Sequence, residues 1–125
     1  MARILVVDDS AFQRKKICRM LERAGHQTYQ AVDGQDALRN VESGAPDMVV
    51  TDLNMPNMTG MEFLSTLREQ GSELPVLVVT SDVQDSTREE CMMLGAAELL
   101  NKPVNEDRLR IMVEGFIGPG QEAAS

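Results

Sequence analysis

Near its start the chain carries the stretch Ile4-Leu5-Val6-Val7-Asp8-Asp9-Ser10, in which four apolar residues are followed at once by two acids and a hydroxyl. A short apolar run with β-branched residues is typical of a strand buried on both faces. After Ser10 the period changes, because apolar residues recur every three or four positions, at Ile17, Met20, Leu21 and Ala24. This spacing places them on one face of a helix. The stretch therefore predicts a buried strand, an acidic turn and an amphipathic helix.

The same succession of strand and helix is repeated along the rest of the chain. Further strands are predicted at 27–31, 48–51, 76–79 and 99–101, and further helices at 36–43, 60–70 and 84–94. The last helix is predicted from an apolar stripe of Leu109, Met112, Val113, Phe116 and Ile117. Four glycines are expected to end helices, Gly25 in the left-handed conformation and Gly44, Gly71 and Gly95 after the next three. Five strands, each followed by a helix, predict a parallel sheet covered on both faces in a single α/β domain.

Composition limits the classes of function. Of 125 residues, 42% are hydrophobic and 26% charged, as in a soluble globular domain. The net charge of -8 argues against direct binding to DNA, whose phosphates it would repel. The apolar run near the N-terminus is too short for a signal peptide or a membrane span, so we expect no membrane insertion and a cytoplasmic location. Cys18 and Cys91 are expected to be buried, and the nine methionines to fill gaps in the core.

Side chains that can carry chemistry follow four of the predicted strands. Asp8 and Asp9 follow the first strand and Asp52 the third, while Thr80 follows the fourth and Lys102 the fifth. Because the carboxyl ends of parallel strands meet at one edge of a sheet, we expect these groups to converge. Three carboxylates facing one ammonium leave an excess of negative charge. Mg²⁺, which prefers oxygen ligands, would remove that excess, and so would a proton held by a carboxyl group of raised pKa.

Taken together, these stretches resemble the receiver domain of two-component response regulators, most closely the CheY-like type. The resemblance spans residues 4–117 and is carried by the motifs 4–10, 51–60, 78–81 and Lys102-Pro103. It implies a doubly wound five-stranded parallel sheet, the (βα)5 flavodoxin-like or CheY-like fold with strand order 2-1-3-4-5, for which CheY is a standard example. It also implies a receiver domain over residues 1–118 and a short flexible tail at 119–125, with no output domain.

The resemblance implies a reaction and a metal site. Asp52 would be phosphorylated, by attack on the phosphohistidine of a sensor histidine kinase or a histidine phosphotransfer protein. Asp9 would bind Mg²⁺ directly and Asp8 mainly through water, with Asp52 and the backbone carbonyl of Asn54 completing the protein ligands. The protein would not be an enzyme in any wider sense, because it would catalyse only its own phosphorylation and dephosphorylation.

The resemblance also implies a switch. Thr80 would donate its hydroxyl to the phosphoryl group and Lys102 would neutralise its oxygens, with a cis peptide bond before Pro103. These new contacts would change the surface formed by the fourth helix, the fifth strand and the fifth helix, to which a downstream protein binds. Motility or chemotaxis machinery is one candidate target. Pro56 and Gly60 would be structural, as a rigid turn and a flexible step into the third helix.

The chain departs from the family pattern at one switch position. Leu99 stands where the family usually has an aromatic residue, so coupling to the output surface would differ even if the phosphorylation chemistry is kept. The alternative function is therefore a receiver-like interaction module that signals without phosphorylation. A phosphatase of the haloacid dehalogenase type and a flavodoxin-like cofactor binder fit less well, because of where the acids lie. We expect a monomer or a weak dimer, with a solvated basic face on the first helix formed by Arg14, Lys15, Lys16 and Arg19.

Overall fold

Strands and helices alternate along the residues that the computed structural model describes, which are 2–118. The strands are β1 (Arg3–Val7), β2 (Gln27–Ala31), β3 (Met48–Asp52), β4 (Val76–Thr80) and β5 (Glu98–Asn101). The helices are α1 (Ala11–Arg23), α2 (Gly34–Gly44), α3 (Gly60–Glu69), α4 (Asp85–Met93) and α5 (Glu106–Ile117). The tail predicted at 119–125 lies outside the described residues.

The five strands form one parallel sheet in the order β2-β1-β3-β4-β5, which confirms the predicted doubly wound fold. From β1 the chain passes through α1 to β2 on one side, and it then returns to β3 on the other side of β1. The strand order therefore reverses between β1 and β3, and in such sheets ligands bind at the carboxyl ends of the strands beside this point.

Side chains on the two faces of the sheet fill separate cores. In β1, Leu5 and Val7 belong to the core beneath α2, α3 and α4, whereas Ile4 and Val6 belong to the core beneath α1 and α5. All four are at most 1% exposed. This alternation is why the strand is apolar without interruption: both of its faces are covered.

The four glycines predicted to end helices all lie at helix ends, of α1, α2, α3 and α4. Positive φ angles of 93°, 82° and 98° occur at Gly25, Gly71 and Gly95. At the end of α2, however, Gly44 is still helical and the left-handed residue is Ala45, with a φ of 45°. A Cβ at Gly44 would lie 3.3 Å from a ring carbon of Tyr29, so this glycine allows a close approach to β2.

Some apolar residues expected in the core lie on the surface. Phe116 is 46% exposed although it continues the stripe of α5, and Met93 of α4 is 88% exposed, so the expectation that the methionines fill core gaps is wrong there. Both cysteines are buried as predicted. Among residues 2–118, none of the helices combines the length and hydropathy that a membrane crossing requires.

Candidate functional site

Three carboxylates meet where the strand order reverses. Asp8 follows β1 directly, Asp52 is the last residue of β3, and the pairing of Val7 with Thr51 places these two strand ends side by side. One oxygen from each of Asp8, Asp9 and Asp52 lies within 4.8 Å of the others. Asp8 is buried, Asp52 is half-buried and Asp9 is exposed, so the cluster opens towards solvent through Asp9. The predicted convergence of the acids is thus found.

The ammonium group of Lys102 faces this cluster from the end of β5. Its Nζ lies 3.4 Å from Asp52 Oδ1 and 3.7 Å from Asp8 Oδ2. The main chain of Lys102 is held by its N–H, which donates to the carbonyl oxygen of Thr80 at 2.9 Å. The peptide bond between Lys102 and Pro103 is cis, as the resemblance implies.

Asp8 is the most deeply buried acid of the cluster, and the charge of Lys102 offsets the cost of its burial only in part. Burial raises its pKa above the ordinary value, a hydrogen bond from the Ser10 N–H opposes the rise, and the negative charge of Asp52 adds to it. Its Oδ1 accepts that Ser10 N–H at 2.9 Å, whereas its buried Oδ2 has no hydrogen-bond partner within residues 2–118. A buried carboxylate oxygen without a hydrogen-bond donor, on an acid that lies in a cluster with two others, is suited to a hard divalent cation. The donor set therefore fits the Mg²⁺ implied by the resemblance.

Asp52 is held in place but remains accessible. Its Oδ1 accepts the N–H of Leu53 at 2.8 Å and is the atom nearest to Lys102. The side chain is 11% exposed, against 2% for Asp8. Of the two buried or half-buried acids, Asp52 is therefore the one that a reagent in solvent can reach more easily.

The hydroxyl of Thr80 lies at the end of β4 and is buried. Its Oγ1 accepts the N–H of Asp82 at 3.0 Å, which leaves its own proton free to be donated. Asp82 in turn accepts a hydrogen bond from the N–H of Gln84 at 2.9 Å and one from Thr87 Oγ1 at 2.7 Å. Hydrogen bonds through Asp82 thus connect Thr80 to α4.

Leu99 is 7% exposed and packs in the core beneath α2, α3 and α4.

The loop between β3 and α3 follows Asp52 closely. In this loop Asn54 and Pro56 are exposed and Met55 is buried. A Cβ at Gly60 would lie 2.3 Å from the carbonyl oxygen of Asp52, and the N–H of Gly60 donates to the carbonyl of Leu53 at 2.8 Å. Gly60 is therefore required for close approach, and the expectation that it is a flexible step into α3 stays a prediction. The roles of Asn54 and Pro56 remain predictions.

Sequence reasoning missed Arg14 as a neighbour of the site. Its Nη1 donates to the backbone carbonyl of Asp8 at 2.8 Å and its Nε to Gln30 Oε1 at 2.7 Å, so it does not belong to a purely solvated face. The other three basic residues of that face are exposed as predicted. No local pattern singles out Arg14, because its partners lie in β2 and in the turn after β1.

Two more residues beside the site, Asp33 and Asn57, were also missed. They are joined by a hydrogen bond from Asn57 Nδ2 to Asp33 Oδ2 at 2.8 Å. The sequence does place Asp33 directly before a predicted helix, which is typical of a helix N-cap. That pattern does not reveal the contact with Asn57.

Comparison with known proteins agrees with this geometry. The family model described as the response regulator receiver domain matches residues 4–114. The chain is 37% identical over 111 residues to Protein PilH of Pseudomonas aeruginosa, covering 87% of this chain and 92% of PilH. It is 38% identical over 107 residues to the sensor histidine kinase RcsC of Salmonella typhi, covering 86% of this chain but 11% of that kinase. The match to a protein-glutamate methylesterase/protein-glutamine glutaminase of Koribacter versatilis is 42% identical and covers 81% of this chain and 29% of that protein.

Solved structures of similar architecture cover almost the whole chain. The chemotaxis protein CheY4 of Vibrio cholerae is 33% identical and superimposes with a TM-score of 0.87, covering 93% of this chain and 98% of CheY4. A response regulator receiver domain protein from Clostridium thermocellum is 29% identical, with a TM-score of 0.87 and 94% of each chain covered. These matches extend over both the sheet and the turns that carry the acids.

Proposed function

Because the chain belongs to the response regulator receiver family, we propose that it is a phospho-accepting signalling switch in which Asp52 is the phosphorylated residue. The observation that carries the proposal is the position of Lys102, whose ammonium lies 3.4 Å from Asp52 Oδ1 at the mouth of a three-carboxylate cluster. A cation at this position compensates the charge of both the acid and an incoming phosphoryl group.

The donor would be a phosphohistidine on a sensor histidine kinase or a histidine phosphotransfer protein. An oxygen of Asp52 forms the new bond to phosphorus, the P–N bond breaks with its electron pair going to the ring nitrogen, and the imidazole leaves in the neutral form, with one proton taken from solvent. Since Oδ1 of Asp52 is already engaged by the Leu53 N–H and lies next to Lys102, we assign the attack to Oδ2. Lys102 then lies beside the phosphoryl oxygens, where charge accumulates.

Receiver domains bind Mg²⁺ through acidic residues, and the same group of acids is present here. Asp8, Asp9 and Asp52 would hold the ion together with the backbone carbonyl of Asn54. When bound, Mg²⁺ would supply positive charge that lowers the repulsion between the acids and the phosphoryl group. The raised pKa of Asp8 supports this assignment, because burial penalises its charge and the protein offers Oδ2 no hydrogen bond within residues 2–118.

Signalling would follow from the new negative charge on Asp52. A phosphoryl group brings roughly −1.5 to −2 charges and three acceptor oxygens at pH 7. Thr80 has a proton to donate, and Asp82 and Thr87 link it to α4, so this route supports a change in the surface formed by α4, β5 and α5. A downstream protein would distinguish the two states, and the similarity to the chemotaxis protein CheY4 makes motility or chemotaxis machinery a candidate target.

The proposal does not extend to a separate enzymatic activity or to direct DNA binding. Although the chain is similar to part of a methylesterase, it corresponds to 29% of that protein. We place this switch in the cytoplasm and assign it only the catalysis of its own phosphorylation and dephosphorylation.

The alternative is an interaction module of the same fold that signals without phosphorylation. Leu99 favours it, because this buried residue lacks the aromatic ring that the family usually has at this position to follow a movement of the threonine. In that case the three acids would bind a cation or a proton, and Asp52 would not accept a phosphoryl group.

Intact mass measurement separates the two functions. The chain is incubated with Mg²⁺ and acetyl phosphate, and in parallel with Mg²⁺ and a beryllofluoride salt. We expect acetyl phosphate to add one phosphoryl group to the wild type, none to Asp52→Asn, and the wild-type amount to Asp47→Asn, and beryllofluoride to add its own mass in the same pattern under native ionisation. Asp47 is a matched control because it is an exposed acid that precedes β3, at the opposite edge of the sheet. The absence of modification with both reagents would support the interaction module.

A further inference from the structure

Two turns that lie beside the carboxylate cluster are joined to each other. Asn57, in the loop 53–59 between β3 and α3, donates from Nδ2 to Oδ2 of Asp33 in the turn 32–33 that leads into α2, at 2.8 Å. Next to this contact, the N–H of Gly34 donates to the backbone carbonyl of Met58 at 3.1 Å. A side-chain and a main-chain hydrogen bond therefore connect the same two turns.

Asp33 is buried and both of its carboxylate oxygens accept hydrogen bonds, whereas Asn57 contacts it from the surface. Asp33 is 7% exposed, and its second oxygen, Oδ1, accepts the N–H of Asp36 at 2.8 Å and so caps α2. A Cβ at Gly34 would lie 2.6 Å from Cγ of Met58, which leaves no space between the two turns. Asn57 has a φ of 67°, in the left-handed region that Asn tolerates better than most residues. The chain thus adopts an unusual backbone conformation at the point where this contact is made.

The segments that contain the joined turns contact the backbone at two places in the carboxylate cluster, beside Asp52 and at Asp8. At one end of the loop, the N–H of Gly60 donates to the carbonyl of Leu53, immediately after Asp52. On the other side, the N–H of Asp8 donates to the carbonyl of Ala31 at 3.2 Å, at the end of β2 that leads into the turn containing Asp33. The end of β2 and the turn that follows it therefore contact the backbone of Asp8 and the loop that contains Asn54.

We infer that Asp33 and Asn57 are positioning residues for the Mg²⁺ site: by joining the two turns they fix the loop that carries the Asn54 carbonyl relative to Asp8. Neither residue binds the ion or the phosphoryl group. This inference rests on the proposed function, which makes the cluster a Mg²⁺ site. Partners of metal ligands contribute to affinity because they fix the ligands before the ion arrives.

The test is calorimetric titration of the full chain with magnesium chloride, without a phosphoryl donor. Asp33→Ser keeps an oxygen that caps α2 but is too short to reach Asn57, and Asn57→Asp places two carboxylates against each other. The double variant Asp33→Asn with Asn57→Asp reverses the pair, so that an amide on residue 33 can donate to a carboxylate on residue 57. Asn105→Ala is the matched control, because it removes the N-cap of α5 and leaves both turns intact.

We expect each single variant to bind Mg²⁺ about tenfold more weakly than the wild type, and the reversed pair to return to within about twofold of it. Asn105→Ala should bind like the wild type even where its melting temperature is lower. Single variants that bind Mg²⁺ as tightly as the wild type would overturn the positioning role. A wild type that gives no binding heat would instead overturn the proposed function, and the positioning role with it.

Hydrogen exchange in Mg²⁺-free buffer provides a second readout that does not depend on metal binding. Amide exchange in the peptide 53–59 should be faster in Asp33→Ser than in the wild type and unchanged in Asn105→Ala. Equal exchange in all three proteins would overturn the claim that Asp33 fixes this loop. If Asn57→Asp does not fold, Asp33→Ser decides the question in both measurements.

Discussion

The ammonium of Lys102 lies 3.4 Å from Oδ1 of Asp52. Asp52 ends β3 and Lys102 follows β5, so β4 lies between the two strands that carry these side chains. Both side chains are largely shielded, with 23% and 11% exposed. At this distance and degree of burial the attraction between the two charges is screened less than on an open surface. Lys102 is therefore suited to stabilise negative charge on Asp52, whether as a carboxylate or as an acyl phosphate.

Replacing Lys102 with Gln should slow the modification of Asp52 by acetyl phosphate about 100-fold, because an electrostatic contact to the developing charge is lost. The measurement is the rate of phosphoryl gain by intact mass. Lys15→Gln is the control, since Lys15 is an exposed lysine of α1. An unchanged rate in Lys102→Gln would show that the ammonium takes no part in the reaction.

Replacing Asp8 with Asn should stabilise the Mg²⁺-free protein at pH 7 by on the order of 1 kcal/mol. Burial raises the pKa of Asp8 above its ordinary value of 3.8, so the folded state binds this proton more readily than the unfolded state does. The stability of the wild type therefore falls as the pH rises from about 3.8 to the raised pKa of Asp8, and the penalty is complete above the raised pKa.

The measurement for Asp8→Asn is urea unfolding with EDTA at several pH values. The gain should disappear below about pH 3.8, where the carboxyl is protonated in both states. Asp9→Asn is the comparison, and we expect a smaller gain from it because Asp9 is exposed. A destabilised Asp8→Asn at pH 7 would contradict the interpretation that this buried charge is poorly compensated.

Replacing Thr80 with Val should keep Asp52 reactive but weaken the response to phosphorylation. The substitution retains the shape of the buried side chain, while it removes the acceptor of the Asp82 N–H and the proton available to the phosphoryl group. Losing the partner of that N–H should cost about 1 kcal/mol of stability.

The response of Thr80→Val is followed by hydrogen exchange in α4, with and without a beryllofluoride salt. The wild type and Thr80→Ser, which keeps the hydroxyl, should change their exchange when the salt is added, whereas Thr80→Val should change little. An equal change in all three proteins would argue against transmission through this hydroxyl.

Replacing Gly60 with Ala should destabilise the protein by roughly 1–3 kcal/mol, since the new Cβ would lie 2.3 Å from the backbone carbonyl of Asp52. Gly115→Ala is the matched control: nothing lies within 4 Å of its Cβ position, and Ala should stabilise α5 by about 0.5–1 kcal/mol. Urea unfolding measures both effects. A neutral Gly60→Ala would contradict the close approach.

The fold could be predicted from the sequence because each strand is bounded by features that act locally. The apolar run of β1 ends at charged residues, and the glycines after α1, α3 and α4 end those helices in the left-handed conformation. The predicted end of α2 at Gly44 is also confirmed, but the left-handed residue there is Ala45, and Gly44 instead allows close approach to the ring of Tyr29. This contact between α2 and β2 is one that no local pattern shows.

The convergence of the acids could also be predicted, because it depends only on which strands are parallel and where they end. The contacts of Arg14 and Asn57 could not, since each joins residues on different elements. Exposure was missed for a related reason. The stripe that includes Phe116 has helical spacing, but α5 packs on the sheet through Leu109 and Val113 and leaves Phe116 46% exposed.

The most direct test of the central claim is to locate the modified residue. After incubation with Mg²⁺ and acetyl phosphate, borohydride reduces an aspartyl phosphate to homoserine, and peptide mass spectrometry identifies the position. We predict homoserine at residue 52 and none when Mg²⁺ is removed by EDTA. Homoserine at residue 8 or 9 instead, or no homoserine with either treatment, would contradict the assignment of Asp52 as the phosphoryl acceptor.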